Sequence, residues 1–207
     1  MPCYKQTASQ QHVNWNMFRI LDTLHHTASG LDNLPKWFLR HVAPVFCKQL
    51  AQLFNLSLST SVVPRQWKSV VIRPVPKVAT AKSHTDFRPI SITPMLTRIM
   101  EKSIVWHFLY PAFHQPSVAS SLNDQFAFRP TSAIVFLLHT VIQMLNKSPY
   151  VIVIATDFSK VFDTVWHITL LEKLADLDLP DNVYNWLVKL LEYPGLSHWP
   201  CQLCGNW

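Results

Sequence analysis

The 207-residue chain is 49% apolar and only 14% charged, with a formal net charge of +6. Its three glycines, Gly30, Gly195 and Gly205, lie too far apart to build a glycine-cradled phosphate loop, which needs several close together. A charged share well below the roughly 25% usual in soluble domains leaves much apolar surface to be covered.

Residues 1–29 read as a flexible lead or as a short helix around Trp15 to Leu24. Pro35 suits a helix entry, and Phe38, Val42, Val45, Leu50, Leu53 and Leu56 then recur at spacings near three and four. Pro44 is expected to kink or split that helix. Ser69 to Lys77 (SVVIRPVPK) reads as a short edge strand, because Pro74 and Pro76 have no place in a central ladder. A polar loop from Val78 to Asp86 leads into an extended segment, Phe87 to Ser91. A helix is expected from Pro94 to Phe108, with Leu96, Ile99 and Met100 on one side, and a loop from Pro111 to Asn123.

In the second half, a helix is expected from Ser132 to Leu145. Its stripe of Ile134, Leu137, Leu138, Val141, Ile142 and Leu145 is assigned to the core. Tyr150 to Thr156 is too apolar to alternate and reads as a strand buried on both faces. Short helices follow from His167 to Leu174 and from Leu179 to Glu192, with Asp181 as a first-turn acid. Residues 193–207 show no period. In that tail Cys201, Cys204 and His198 fall one ligand short of a four-ligand zinc site.

The charge is uneven. Twelve Lys/Arg stand against three acids from Lys36 to Arg129, and four against seven from Pro130 onward. The middle of the chain is therefore the expected face for a polyanion, the plainer reading being an ordinary solvated surface. No secretory leader and no run of 18 apolar residues is read, so an intracellular protein, nuclear or cytoplasmic and without a membrane partner, is expected.

Asp157 closes the apolar Tyr150–Thr156 stretch. A carboxylate at the C-terminal lip of a buried strand opens into the cleft where such sheets keep their ligands. Magnesium takes oxygen ligands, usually one or two carboxylates plus substrate phosphates. Two such ions about 3.5–4 Å apart clamp the attacking and leaving oxygens in phosphoryl or nucleotidyl transfer. Asp157 suits one anchor, with the Phe158 carbonyl as a second oxygen. Asp163 suits a helix cap or a partner for Lys160. Phe162 suits packing against a nucleotide sugar. The plainer alternatives are a strand-end turn for Asp157 and core packing for Phe162.

Four segments, in order, carry a resemblance: Asn55 to Lys77 with its P-x-x-W-K and P-x-P-K pieces, DFRPIS at Asp86 to Ser91, QFAFRP at Gln125 to Pro130, and DFSKVFDTVWH at Asp157 to His167. From about Gly30 to about Leu191 the chain resembles the reverse transcriptase (RNA-directed DNA polymerase) domain of non-LTR, LINE-like retrotransposons. The resemblance implies an α+β chain with a partial right-hand polymerase fold, fingers plus the first part of the palm. It would occupy residues 30–192, between the lead and an unrelated tail at 193–207. It implies Asp157 as a catalytic, metal-binding aspartate, with the Phe158 carbonyl beside it. Phe162 would screen the sugar 2′ position. Lys77, Arg88 and Arg129 would lie near the incoming triphosphate and template phosphates, and Gln125 and Phe128 under the template strand. The implied partners are RNA or an RNA/DNA hybrid and deoxynucleoside triphosphates, with Mg2+ as the cofactor. Ala127 and Val161 depart from the usual glycine and alanine.

The 207 residues contain no adjacent Asp–Asp pair, and Leu177 separates Asp176 from Asp178. The second carboxylate motif and the thumb that the resemblance implies are therefore not read. The expectation is a truncated domain, assigned to the polymerase class, in which catalysis by the chain alone is left uncertain. Its Tyr150–Thr156 strand would expose an apolar flank unless another chain completes the palm. The alternative reading is a non-enzymatic nucleic-acid-binding module.

Overall fold

A computed structural model describes residues 16–24, 28–122, 125–126, 133–157 and 165–192. In them a helical core is built from five helices, and one antiparallel strand pair stands largely exposed beside it. The described residues are thus mixed in content, with several helices and a single small strand pair.

Helix α1 (Met17–Asp22) is started by Asn16, whose side-chain oxygen accepts the Arg19 N–H at 3.2 Å. It buries Met17 and Leu21 against α2 (Lys36–Thr60), so this part of the lead belongs to the core. Helix α2 runs 25 residues, about 37 Å at 1.5 Å per residue. Pro44 lies inside it and does not split it. The buried face is Leu39, Ala43, Phe54 and Leu58, while Val45 and Leu56 of the expected stripe are exposed. Both sides of α2 are rich in apolar residues. The seam falls where small Ala43 lets a neighbouring helix approach, which bulk hydrophobicity does not reveal. Ser61 ends the helix in the left-handed region, at φ 52°. There its N–H reaches the Leu58 carbonyl and the Val62 N–H the Ser57 carbonyl, the double closure of a Schellman end.

A 3₁₀ turn, Arg65–Lys68, drops Trp67 into the core edge-on to Phe54, with ring centroids 5.7 Å apart. Strands β1 (Val71–Pro76) and β2 (Phe87–Ile92) then pair antiparallel. Next comes α3 (Met95–Ile104), prolonged by a π-helical turn at Val105–Leu109 and by α4 (Tyr110–Phe113). Pro111, expected to begin a loop, is instead carried inside this helical run. Proline has no N–H to close the ordinary i−4 bond, and the wider turn just before it accommodates that gap. Short helix α5 (Pro116–Ala119) and a 3₁₀ turn, Ser120–Leu122, occupy the rest of the expected loop.

Helices α7 (His167–Ala175) and α8 (Asp181–Leu191) complete the core. Trp186 of α8 is fully buried, and its indole N–H donates to Ser57 Oγ at 2.9 Å. Ser57 Oγ in turn donates to the Val62 carbonyl at 2.6 Å.

Two further expectations are corrected. Helix α6 (Ala133–Leu145) forms as expected, but none of its residues is buried, and Ile134 is 71% exposed. The stripe assigned to the core is an uncovered face. Residues 151–157 form no strand, and Ile152 and Ile154 are 77% and 81% exposed. A strand needs a hydrogen-bonding neighbour, and among the described residues the only strands, β1 and β2, pair with each other.

Candidate nucleic-acid interface

The ribbon register places Arg73 opposite Ile90, Pro74 opposite Pro89, Val75 opposite Arg88 and Pro76 opposite Phe87. One step beyond, the Lys77 N–H donates to the Asp86 carbonyl at 2.7 Å, so that pair is of the hydrogen-bonded kind. Alternation then puts Pro74, Pro76 and Pro89 at positions whose backbone nitrogens face outward. The prolines cost the ladder nothing and remove donors from both outer edges, which discourages further strands.

Alternation also sorts the side chains. Arg73, Val75 and Lys77 share one face with Ile90 and Arg88. Arg88 is diagonal to both Arg73 and Lys77, about 7–8 Å from each between Cα atoms. All three cations are exposed. The ribbon's loop turns its acid on itself. Asp86 accepts the Lys82 and Ser83 N–H groups, each at 2.9 Å, within a capping box. Those bonds, Ser83's first, hold its carboxyl below the usual range. The Lys77 ammonium donates to the Thr85 carbonyl at 2.8 Å. Arg73 and Arg88 thus keep guanidinium groups with no partner among the described residues.

Both ends of the ribbon are anchored on α3. Thr97 Oγ1, buried, donates to the Trp67 carbonyl at 3.1 Å and so ties the approach to β1 onto α3. This gives the P-x-x-W-K stretch a structural role. Beyond β2, Asp32 Oδ2 accepts the Met95 N–H at 2.6 Å and caps α3, and Arg98 donates to the Ala28 carbonyl at 2.6 Å. Gly30 makes that approach possible, since a Cβ there would meet the Thr93 oxygen at 2.5 Å. On the same helix, burial pushes the Glu101 carboxyl up to about 7, with the Arg98 charge acting in the opposite sense.

The sequence-derived site residues divide into four groups. Lys77 and Arg88 come together on the ribbon face, and Arg73 joins them. Arg73 was missed because strand alternation assigns it a face only once the register is known. Gln125 is exposed, its N–H donating to the Leu122 carbonyl at 3.0 Å, and Phe126 beside it packs on Phe136 of α6 with centroids 4.7 Å apart. Asp157 is exposed at the end of the irregular 151–157 segment, and no group of three or more potential metal ligands occurs among the described residues. Phe128, Arg129, Phe158 and Phe162 lie outside the described residues.

The ribbon, anchored on a helical core, presents the exposed cations Arg73, Lys77 and Arg88 on one face. Comparisons with known proteins give the family. Residues 75–204 match the model of the family described as reverse transcriptase (RNA-dependent DNA polymerase), and the chain belongs to that family. It is 30% identical over 172 residues to the RNA-directed DNA polymerase from mobile element jockey of Drosophila melanogaster, covering 80% of this chain and 18% of the relative. It is 27% identical over 179 residues to the probable RNA-directed DNA polymerase from transposon BS of the same organism, covering 79% and 18%. The probable polymerase from transposon X-element, also of Drosophila melanogaster, is 27% identical over 145 residues, covering 68% and 16%. The chain spans less than a fifth of the length of these relatives.

Proposed function

We propose that this chain is the fingers and the first part of the palm of an RNA-directed DNA polymerase from a non-LTR retrotransposon, with residues 30–192 as the polymerase portion. The observation that carries the reading is the ribbon, which sets Lys77 and Arg88 diagonally on one exposed face at the start of the family match. In this reading Lys77, Arg88 and Arg129 contact the phosphates of the incoming deoxynucleotide and of the template, where the Arg fork holds two oxygens at once. Gln125 and Phe128 shape the surface under the template, and Phe162 disfavours a 2′-hydroxyl. Asp157 and the Phe158 carbonyl are the residues assigned to Mg2+.

The reaction of the longer polymerase is attack of a primer 3′-oxygen on the α-phosphorus of a deoxynucleoside triphosphate. A phosphodiester bond forms, pyrophosphate leaves, and the hydroxyl gives up its proton. Two-ion chemistry of this kind needs several anionic oxygens to hold both metals against phosphate repulsion. Asp157 belongs to no group of three or more potential metal ligands among the described residues, and the sequence has no adjacent Asp pair. Among the described residues that donor set does not fit a two-ion site. The 207-residue chain by itself is expected to bind strands and to leave a primer unextended until another chain or segment supplies the remaining ligands.

The test is a primer–template extension assay with RNA template, deoxynucleotides and Mg2+, run beside Asp157→Ala and beside direct binding to RNA and to an RNA/DNA hybrid. Extension that disappears in Asp157→Ala would refute the incomplete-site argument. Failure to bind either nucleic acid would sink the polymerase reading itself. A non-enzymatic nucleic-acid-binding module is the second reading, favoured by the same exposed cations and lone carboxylate. Under it, binding shows a steep salt dependence but no preference for a primer terminus.

A further inference from the structure

We infer that Arg73 extends the cationic face of the ribbon into a row that follows the phosphate backbone of a nucleic-acid strand, an inference that rests on the reading above. Three observations on the ribbon meet at this residue. The register puts Arg73 on the same face as Arg88 and Lys77, in a zigzag whose steps are about 7–8 Å between Cα atoms. Arg73 is exposed and has no hydrogen-bond or ion-pair partner among the described residues. Lys77, by contrast, is engaged by the Thr85 carbonyl, and Asp86 is committed to the Lys82 and Ser83 N–H groups. The least committed positive charge on the ribbon is therefore the Arg73–Arg88 pair.

Two guanidinium groups set diagonally on one sheet face repel each other, and the carboxylate opposite Lys77, Asp86, is committed to the Lys82 and Ser83 N–H groups. Bound phosphates turn that repulsion into attraction. The row from Arg73 to Lys77 covers four strand steps, about 13 Å. A single phosphate cluster would be gripped at one end of it. Successive phosphates of an extended strand match its stepwise spacing, while Val75, 45% exposed, lies between Arg73 and Lys77, and Ile90, 42% exposed, lies beside Arg73, where sugars would pass. Because Arg73 is exposed and has no hydrogen-bond or ion-pair partner among the described residues, its replacement should leave the fold intact.

The experiment measures binding of the 207-residue chain to a labelled single-stranded RNA across a salt series, using Arg73→Ala, Arg73→Lys, Arg88→Ala and an off-ribbon control, Arg40→Ala, with circular dichroism to check the fold. Loss of one phosphate contact should make the slope of log affinity against log salt shallower by about 0.7 in Arg73→Ala. The weakening should be equal for RNAs of different base sequence, and Arg73→Lys should keep most of the slope. A parallel titration with a fluorescent deoxynucleoside triphosphate should be unaffected by Arg73→Ala. If Arg73→Ala matches the wild type on RNA while Arg88→Ala is weakened, the inference fails and the polymerase reading stands. If Arg73→Ala weakens the triphosphate but not the RNA, the strand assignment is overturned. If the wild-type chain binds no RNA at all, both fall.

Discussion

Glu101 offers a measurable link between packing and pH. Its carboxyl sits on α3 among protein atoms, and burial raises it to about 7 from an ordinary 4.5, with only the Arg98 charge opposing. Arg98 is itself shared with Asp32. The folded state therefore holds the Glu101 proton more tightly than the unfolded chain does. The resulting stability is fully present below about pH 4.5 and is lost as the pH rises through about 7. At about 1.4 kcal/mol per pH unit the gap corresponds to roughly 3 kcal/mol as an upper bound. The residue keeps part of its surface in water, so a loss of about 1–3 kcal/mol is expected between pH 5 and 8. Glu101→Gln removes the titration while preserving the shape. Urea unfolding of the two proteins at pH 5, 6, 7 and 8 should give similar stabilities at the acid end and a variant more stable by about 1–3 kcal/mol at pH 8. The lowered Asp86 carboxyl acts in the opposite sense, contributing stability that is lost as the pH falls below about 4, and so leaves this window clear. Stability curves that run parallel from pH 5 to 8 would refute the argument.

Ser57→Ala removes the acceptor of the buried Trp186 indole N–H and the donor to the Val62 carbonyl, and should cost about 1–3 kcal/mol in urea unfolding. In a Trp186→Phe background the same change should cost less, and strict additivity in the double-mutant cycle would contradict the linkage. Ser61→Gly relieves a side chain held at φ 52° and should raise stability by up to about 1 kcal/mol, seen as a thermal midpoint higher by a few degrees. A lower midpoint would mean that the Ser61 hydroxyl contact with the Asn182 carbonyl at 3.4 Å outweighs the backbone relief.

Local patterns made much of the fold legible. Periodicity located α2, α3, α6, α7 and α8 to within a few residues, and the prolines of VIRPVP marked a strand suited only to an edge. Face and coverage were less legible, because they depend on what packs from elsewhere. Phe38 and Leu56 of α2 are as apolar as Leu39 and Leu58, yet only the latter pair is buried. The stripe of α6 and the Tyr150–Thr156 run are apolar enough for a core and remain uncovered among the described residues. Pro111 signalled a break, but a π turn absorbed it. At the candidate site, the motif residues Lys77 and Arg88 were visible in the sequence as separate positive charges. Their adjacency, and the inclusion of Arg73, are consequences of a register that a one-residue slip would have abolished.

The distribution of burial separates two roles within the chain. The helical core closes around Leu21, Phe54, Ile99, Met100, Trp186 and Val188, all at most 1% exposed, and through Trp67, Thr97 and Asp32 it grips both ends of the ribbon. The phosphate binding proposed for the ribbon would therefore depend on contacts already present. Asp157 is in the opposite position. It ends an exposed apolar segment that pairs with no strand among the described residues, so the backbone that would aim its carboxylate is not held by a ladder. Carboxylate geometry for metal chemistry must be fixed by neighbours, whereas a row of exposed guanidinium groups on a paired ribbon is already spaced by its own register. Strand binding thus requires less of the surrounding structure than nucleotidyl transfer does, which is why the two activities are expected to separate in this chain.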